Sequence, residues 1–380
     1  MKMYTLAAML GAASFAHAQT PTPFVLKGTL AKVQGPAQVF LRREGLQEGA
    51  ITDSAVVKNG AFVLRGTTTR PTRARLVLVL NGKKRRLFTG QADHAMFYLE
   101  KGTTVFTSPD SLVNAKVKGS ALSAQYQELA AMLQPNRQQI KTLYAEYRAA
   151  TAEQRNELAF QQQLEAREKA LDTESTALAT AYVRSHPQTL VSLDAVKDIG
   201  GAVPNYAAIA PLFNLLAPSV KATPDGQAYA ATLDALQRVA IGAQAPNFTL
   251  FTPEGKSVSL ASYRGKYVLV DFWGYGCGPC REENPNVVKV YNEYKGRNFD
   301  ILSVTLDTET NRERWLKAIN DDNLTWTQVA DLKKGAENEA VKQYSVRAIP
   351  QNFLIDPSGK IVATNLRGTE LKATVSRFIP

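Results

Sequence analysis

The stretch from Lys266 to Lys295 constrains this chain more than any other. It opens with the apolar run Tyr267-Val268-Leu269-Val270, ends that run with Asp271, Phe272 and Trp273, and passes through Gly274-Tyr275-Gly276-Cys277-Gly278-Pro279-Cys280-Arg281 into a segment of helical periodicity. A short apolar run bounded by turn residues predicts a buried strand, so the order is strand, turn, helix. That order puts Cys277 at a helix N-terminus, where unpaired backbone N–H groups and the helix dipole favour negative charge. A thiol placed there ionises more readily than a free one. Cys280 follows one helical turn later, within disulfide reach with little backbone movement. Pro279 fits the first turn, which has no internal acceptor for the N–H that proline lacks.

Cys277 and Cys280 are the two cysteines of the 380-residue chain, and their spacing reads as a paired redox centre. A zinc site would need two further ligands. Once the N-terminus is set aside, His94 and His186 are the histidines left, and neither sits in a ligand-like cluster. No metal is expected, and His94 is expected on the surface or in a loop.

Three groups of residues taken together, Asp271-Phe272-Trp273, Cys277-Gly278-Pro279-Cys280-Arg281, and Ile349-Pro350 ahead of Asn352-Phe353-Leu354-Ile355-Asp356, resemble the thioredoxin fold. Ala245-Pro246-Asn247-Phe248, with Glu283 and Pro285 after the cysteines, narrows the resemblance to the TlpA/ResA-like thiol-disulfide oxidoreductases of bacterial envelopes, over residues 243–380. One departure stands out: relatives usually carry Trp before the first cysteine, and this chain has Gly276, with Tyr275 expected to cover part of the gap.

Disulfide exchange needs an attacking thiolate, a second thiol within reach and an acceptor for a proton. Cys277 is the expected attacker and Cys280 the residue that resolves the mixed disulfide. The resemblance implies that Asp271 is the buried acid of thioredoxins, acting as base through a water, and that Glu283 tunes the pair. It also implies that Pro350 is cis, that the backbone of Ile349 pairs with an extended substrate segment, and that Trp273, Tyr275 and Phe272 form an apolar rim and floor, although core packing alone suffices for Phe272. Arg281 is either a screen for the thiolate or a surface residue. The Gly278-Pro279 dipeptide is that of reducing thioredoxins.

The implied partners are protein disulfides and dithiols and, for a reductant outside the cytoplasm, a membrane electron donor. No cofactor beyond the redox-active Cys277–Cys280 disulfide is implied. Two alternatives stay open. A thiol peroxidase would carry a hydroxyl residue three positions before the attacking cysteine, where this chain has Gly274. A binding or chaperone-like envelope protein would work through residues 24–242. Native substrate and oligomeric state are not set by the sequence.

Residues 1–18 read as a cleaved export signal: Lys2, an apolar core from Thr5 to Phe15, and Ala16-His17-Ala18 as a small-X-small site. No later apolar run is long enough to span a bilayer, so a soluble periplasmic protein is expected. The net charge of +11 is uneven. Residues 19–120 carry 16 Lys and Arg against 6 Asp and Glu, whereas residues 243–380 carry 18 against 16. The basic excess therefore lies away from the cysteines. Lys83-Lys84-Arg85-Arg86 after Asn81-Gly82 reads as a charged hairpin end that blunts a sheet edge, or docks to acidic partners or anionic lipid. No nucleic-acid recognition motif is visible.

Four segments follow from these patterns: the signal, a β-rich domain over 19–119, a helical region over 120–242, and an α/β thioredoxin-like domain over 243–380 with a mixed sheet flanked by helices. In the β-rich domain strands are expected at 24–33, 37–43, 56–66 around an Asn59-Gly60 turn, 75–80, 86–89, 95–99 and 103–107, forming an antiparallel sandwich or small barrel. This leader is similar to an uncharacterised domain found ahead of envelope thioredoxin-like proteins. In the helical region one helix is expected over 122–133, stopped by Pro135, and a second along the Ile140, Leu143, Tyr144, Tyr147 stripe. A third is expected from a Thr151/Gln154 capping box to residue 183, and others over 190–199, 205–216 and 224–240. In the last domain strands are expected at 248–250, 258–260, 267–273, 299–306, 328–330, 352–356 and 361–365. Its helices are expected at 279–294, 311–320, 336–344 and 371–378.

Overall fold

A computed structural model describes residues 20–33, 35–44, 51–82 and 92–379. The expected export signal, the expected strand at 86–89 and the Lys83–Arg86 basic run lie outside the described residues. The chain divides into two compact units, Met1–Ala149 and Ala150–Pro380.

The first unit is a β-sandwich with one helix. Its strands are β1 (Thr22–Leu30), β2 (Ala37–Arg43), β3 (Ile51–Val57), β4 (Ala61–Thr68), β5 (Thr72–Leu80), β6 (Asp93–Leu99), β7 (Gly102–Ser108) and β8 (Lys116–Lys118). They form two four-stranded sheets, β4-β1-β7-β8 and β3-β2-β5-β6. Alternation decides which side chains go inward: on β4, Phe62 and Leu64 are buried while Ala61, Val63 and Arg65 face out. The core draws Leu26, Phe62, Phe106 and Val117 from one sheet and Val39, Leu76 and Phe97 from the other. Phe97 and Phe106 meet edge to face with centroids 5.0 Å apart. Asn59 has φ of 50° and Gly60 of 73°, as a type I′ turn requires. That turn carries the chain from one sheet to the other, since β3 and β4 belong to different sheets. Pairing is antiparallel except between β1 and β7, which run parallel. Two cross-strand pairs on β1 and β4 set an aromatic ring against a glycine, Phe24 opposite Gly66 and Phe62 opposite Gly28. A Cβ at Gly28 would lie 1.9 Å from the Phe62 ring, so only glycine leaves that ring its place.

Helix α1 runs from Ala121 to Ala149 and packs on β6 and β8. Pro135 lies inside it. The expected stop at that proline is thus corrected, and the two expected helices are one. Proline removes one hydrogen bond and pushes on the carbonyl four residues back. Here Pro135 and Ala131 both face solvent, where water can take the freed carbonyl, and Leu129, Leu133, Asn136 and Leu143 hold the buried stripe across the break.

The second unit begins with helices α2 (Ala152–Asn156), α3 (Leu158–Ser185), α4 (Leu190–Gly200), α5 (Tyr206–Leu215), α6 (Pro218–Lys221) and α7 (Pro224–Gln237). The Thr151/Gln154 capping box is present in both directions. The helix it opens is short, because the backbone at Glu157 turns extended and α3 starts afresh. The expected single helix to residue 183 is therefore two. A five-stranded sheet follows in the order β13-β12-β11-β14-β15, with β11 at Tyr267–Trp273, β12 at Phe299–Thr305, β13 at Thr327–Val329, β14 at Gln351–Ile355 and β15 at Ile361–Thr364. It is preceded by the small hairpin of β9 (Thr249–Phe251) and β10 (Ser257–Ser259). Strands β11, β12 and β13 are parallel, while β14 and β15 are antiparallel to their neighbours. The helices are α8 (Gly278–Tyr294), α9 (Arg312–Asp321), α10 (Glu339–Gln343) and α11 (Gly368–Phe378).

Strand β11 is central, which is why its sequence is apolar on both faces. Leu269 and Trp273 pack with Cys280, Val287 and Val290 of α8 and Leu371 and Val375 of α11. Val268, Val270 and Phe272 pack on the other face with Phe248, Tyr344 and Phe353. This is the thioredoxin-like mixed sheet with helices on both sides. Among the described residues, no helix is long and apolar enough to cross a membrane.

Candidate active site

Strand β11 ends at Trp273, and the next residues fold into a tight turn in which Gly274 O accepts the Cys277 N–H at 3.1 Å. Cys277 is the N-cap of α8, with extended backbone angles, and its Sγ accepts the Cys280 N–H at 3.1 Å. The cap position is filled elsewhere by Ser, Thr or Asp; here sulfur fills it. Cys277 and Cys280 are joined in a disulfide with Cα atoms 5.2 Å apart. Cys277 is half-buried, whereas Cys280 is only 1% exposed. One sulfur faces outward and the other faces the sheet.

The mouth around Cys277 is open. A Cβ built on Gly276 or on Gly278 meets nothing within 4 Å. Tyr275 reaches α9: its hydroxyl accepts from Arg314 at 3.1 Å, and the Arg314 guanidinium lies 5.9 Å from its ring centre.

Behind the cysteines stands Asp271, 6% exposed. Strand periodicity puts it between Leu269 and Trp273 on the face that α8 covers, the face of Cys280. Burial pushes its pKa up from 3.8 to about 6, opposed by the positive charge of Arg367 and a 3.5 Å hydrogen bond from Ser303, and reinforced by the negative charge of Glu283. Glu283 is half-buried and accepts the Gly368 N–H at 2.8 Å. The third side of the site is the loop before β14, where the Ile349–Pro350 bond is cis. Ile349 approaches the turn closely enough that its Cδ1 would lie 3.3 Å from a Cβ on Gly274.

Comparison with known proteins decides the family. A family model described as "AhpC/TSA family" matches residues 241–364, and one described as "Domain of unknown function (DUF4369)" matches residues 24–126. The thiol-disulfide oxidoreductase ResA of Bacillus thuringiensis is 31% identical over 144 residues, which are 38% of this chain and 79% of that protein. The chain belongs to the ResA family of thiol-disulfide oxidoreductases. The ResA of Geobacillus thermodenitrificans is 32% identical over 142 residues, 37% of this chain and 77% of that protein. The crystal structure of the thioredoxin domain of a thiol-disulfide oxidoreductase from Bacteroides vulgatus is 43% identical, covering 37% of this chain and 99% of that chain with a TM-score of 0.35. As a ResA-family enzyme, the protein exchanges thiols and disulfides with partner proteins.

The ResA-like part brings Cys277, Cys280, Asp271, Glu283, Tyr275, Ile349 and Pro350 to the end of the sheet where β11 finishes and the antiparallel β14 begins. Trp273 is placed differently from a rim residue. It is 1% exposed and its indole N–H donates to Gln328 at 3.2 Å, so it packs beneath the cysteines as floor and cannot meet a substrate. Phe272 is wholly buried on the opposite face, in the core with Tyr344 and Phe353, so it belongs to neither rim nor floor. Arg281 is neither a free screen nor a loose surface residue. It forks onto Asp322 at 2.5 and 2.7 Å and donates to Tyr275 O at 3.3 Å, tying the turn to the end of α9. His94 lies in β6, half-buried, with Nδ1 at 2.7 Å from Ala92 O, rather than in a loop. No group of three or more metal-ligating side chains occurs among the described residues.

Three residues of the site escaped the sequence reading. Asp307, 9% exposed, accepts the Tyr275 N–H at 3.0 Å and the Thr305 hydroxyl at 2.6 Å, holding the turn before Cys277. Asp322 anchors Arg281 and also accepts from Asn284 at 2.6 Å. Arg367 is the third. All three stand far from the cysteines in the chain, and no local spacing marks them.

Proposed function

We propose that this oxidoreductase is a reductant of disulfides in exported proteins, working in the periplasm through the Cys277–Cys280 dithiol. The observation that carries the reading is the unequal pair: a half-exposed sulfur capping a helix start, and a buried sulfur on the same face as a buried acid with a pKa of about 6. The Cys280 N–H that points at Cys277 Sγ, together with the helix dipole, would stabilise a thiolate on Cys277 once the pair is reduced.

In the first step the Cys277 thiolate attacks one sulfur of the substrate disulfide. A bond forms between Cys277 and that sulfur, and the other substrate sulfur leaves as a thiolate and takes a proton from solvent. In the second step Cys280 gives its proton to ionised Asp271, through a water, and attacks Cys277 Sγ. The internal disulfide forms, and the second substrate sulfur leaves as a thiolate and takes a proton from solvent. Two electrons have passed to the substrate, and a membrane electron donor would return two to the oxidised pair. The substrate's extended backbone would lie along Ile349 beside Pro350, so that main-chain hydrogen bonds supply affinity. The open space at Gly276 suits a disulfide presented by a bulky protein. Export is supported by the pattern of residues 1–18.

The peroxidase reading is the weaker one. Gly274 stands where its hydroxyl residue would be needed, and a Cβ there would lie 3.3 Å from Ile349 Cδ1, close enough that Ile349 would have to give way. Trapping tests the proposal. In envelope extracts, Cys280→Ser should accumulate mixed disulfides through Cys277, and Cys277→Ser should accumulate none. Peroxide consumption without any protein disulfide substrate would favour the alternative.

A further inference from the structure

The loop between β15 and α11 carries a charge into the site from a direction that neither cysteine nor the strand of Asp271 supplies. Asn352, wholly buried in β14, lies opposite Asp271 in the β11–β14 register. Its side chain accepts the Leu366 N–H at 2.8 Å and donates to Leu366 O at 2.9 Å, and its main-chain carbonyl accepts the Asn365 N–H at 2.8 Å. Asn365 takes a left-handed backbone, φ 57°, to make this possible. The loop is thus stapled to the strand beside the acid. Arg367 follows as the N-cap residue of α11, half-buried, its Nη1 donating to Leu366 O at 2.6 Å. The next residue, Gly368, donates its N–H to Glu283. The backbone on both sides of Arg367 is therefore fixed, at Leu366 by Asn352 and at Gly368 by Glu283, and the guanidinium folds back onto Leu366 O.

Resting on the reading of Asp271 as base, we infer that Arg367 is a positioning residue for resolution: held by Asn352 beside the acid, its charge keeps Asp271 in the ionised form that can accept the Cys280 proton. The groups facing Asp271 are few. From α8 come Cys280 and Glu283, from β12 the Ser303 hydroxyl, from β14 the neutral Asn352, and from this loop Arg367. Arg367 is the cation among them. Burial lowers its own pKa, and the two acids oppose that, which is the reciprocal of its pull on Asp271. In the mixed disulfide Cys277 carries no charge, so no thiolate complicates the balance at the moment when Cys280 must lose its proton.

The test is a carboxyl titration of Asp271 by NMR in the oxidised full chain, paired with the pH profile of mixed-disulfide resolution. An opposite charge close to a carboxylate is worth about one unit or more. Arg367→Gln should therefore raise the Asp271 midpoint by about one unit, slowing resolution about fivefold at pH 6 and about twofold at pH 7, with no change at pH 9. Arg367→Lys should lie between the two, and Glu283→Gln should move the midpoint the other way. A folded Arg367→Gln protein with an unmoved Asp271 midpoint overturns the inference. Where that variant fails to fold, Arg367→Met, which also removes the charge but keeps an apolar stem, carries the test, and a wild-type midpoint there overturns it equally. A midpoint that moves while the resolution profile stays put supports the hold of Arg367 on the acid and sinks instead the role of Asp271 as base.

Discussion

The β-sandwich of the first unit and the five-stranded sheet of the second bury similar aromatic cores but treat polar groups differently. Among the described residues of the sandwich strands and their turns, the buried polar side chains are hydroxyls such as Thr68 and Ser108. They finish local structure: Thr68 donates to Arg70 O at 2.7 Å, and Ser108 accepts from the backbone of Asp110 and Ser111. The second sheet buries Asp271, Ser303, Thr305, Asp307, Gln328, Gln351 and Asn352, near the carboxyl ends of its parallel strands and around the start of β14. Burying an acid costs stability unless something compensates. A sheet that accepts this cost at one end, where a helix begins with a cysteine, is organised for proton and sulfur chemistry. The sandwich is organised for packing.

The largest effects should separate the two regions cleanly. Cys277→Ser should reduce disulfide turnover to background while leaving the unfolding transition of the first unit untouched. Phe106→Ala should do the reverse. Its ring is wholly buried against Phe97 and Phe62, and its loss should cost about 3–5 kcal/mol with turnover per folded molecule unchanged. Calorimetry and an insulin-type reduction assay on both variants check the pair. A Phe106→Ala protein that stays folded yet loses turnover would show that the sandwich takes part in the chemistry.

Asp271 sharpens the comparison, because there function and stability pull apart. The free carboxyl value is 3.8 and the folded value about 6, so the folded protein holds the proton more tightly. The stability this group contributes is complete below pH 3.8, declines as pH rises, and is gone above pH 6. At pH 7 the buried carboxylate is a liability of up to about 3 kcal/mol. Asp271→Asn should therefore unfold later than the parent at pH 7, lose that advantage at pH 4, and lengthen the lifetime of the trapped mixed disulfide. Denaturant melts at the two pH values check the sign. A variant equally destabilised at both would mean that lost hydrogen bonding outweighs the charge.

How much of this was legible in the chain follows the same division between local and distant causes. Strand β11 lies where its apolar run ends, and α8 starts one residue before Pro279, because both are specified by neighbours in sequence. The thioredoxin-like sheet and the cysteine turn were readable for that reason. Pro135 misled because the cost of a proline inside a helix can be offset by packing on both sides of it and by water at the freed carbonyl, and neither is written locally. Strand β3 was largely missed since only Val57 of its seven residues is buried, and β8 because three residues with two lysines carry no pattern. The parallel pairing of β1 with β7 depends on which edge was left open. Asp307, Asp322 and Arg367 act across 30 or more residues, so their roles could be read only from the fold.

The smallest expected effect lies at Gly276, where the comparison can be turned on the site itself. A glycine in a core position, such as Gly28 under Phe62, cannot take a side chain, whereas a Cβ at Gly276 meets nothing and its backbone needs no left-handed conformation. Gly276→Trp should therefore change stability by no more than about 0.5 kcal/mol, as for a surface substitution away from special features. Its effect should instead depend on substrate size. The new ring would wall off one approach to Cys277, so reduction of a folded protein disulfide should slow by a few-fold while reduction of a small soluble disulfide stays at the parent rate. The ratio of the two rates is the measurement. Equal slowing of both would mean that the ring disturbs the sulfur rather than its mouth, since a change in the thiolate acts on every substrate and a wall acts only on large ones.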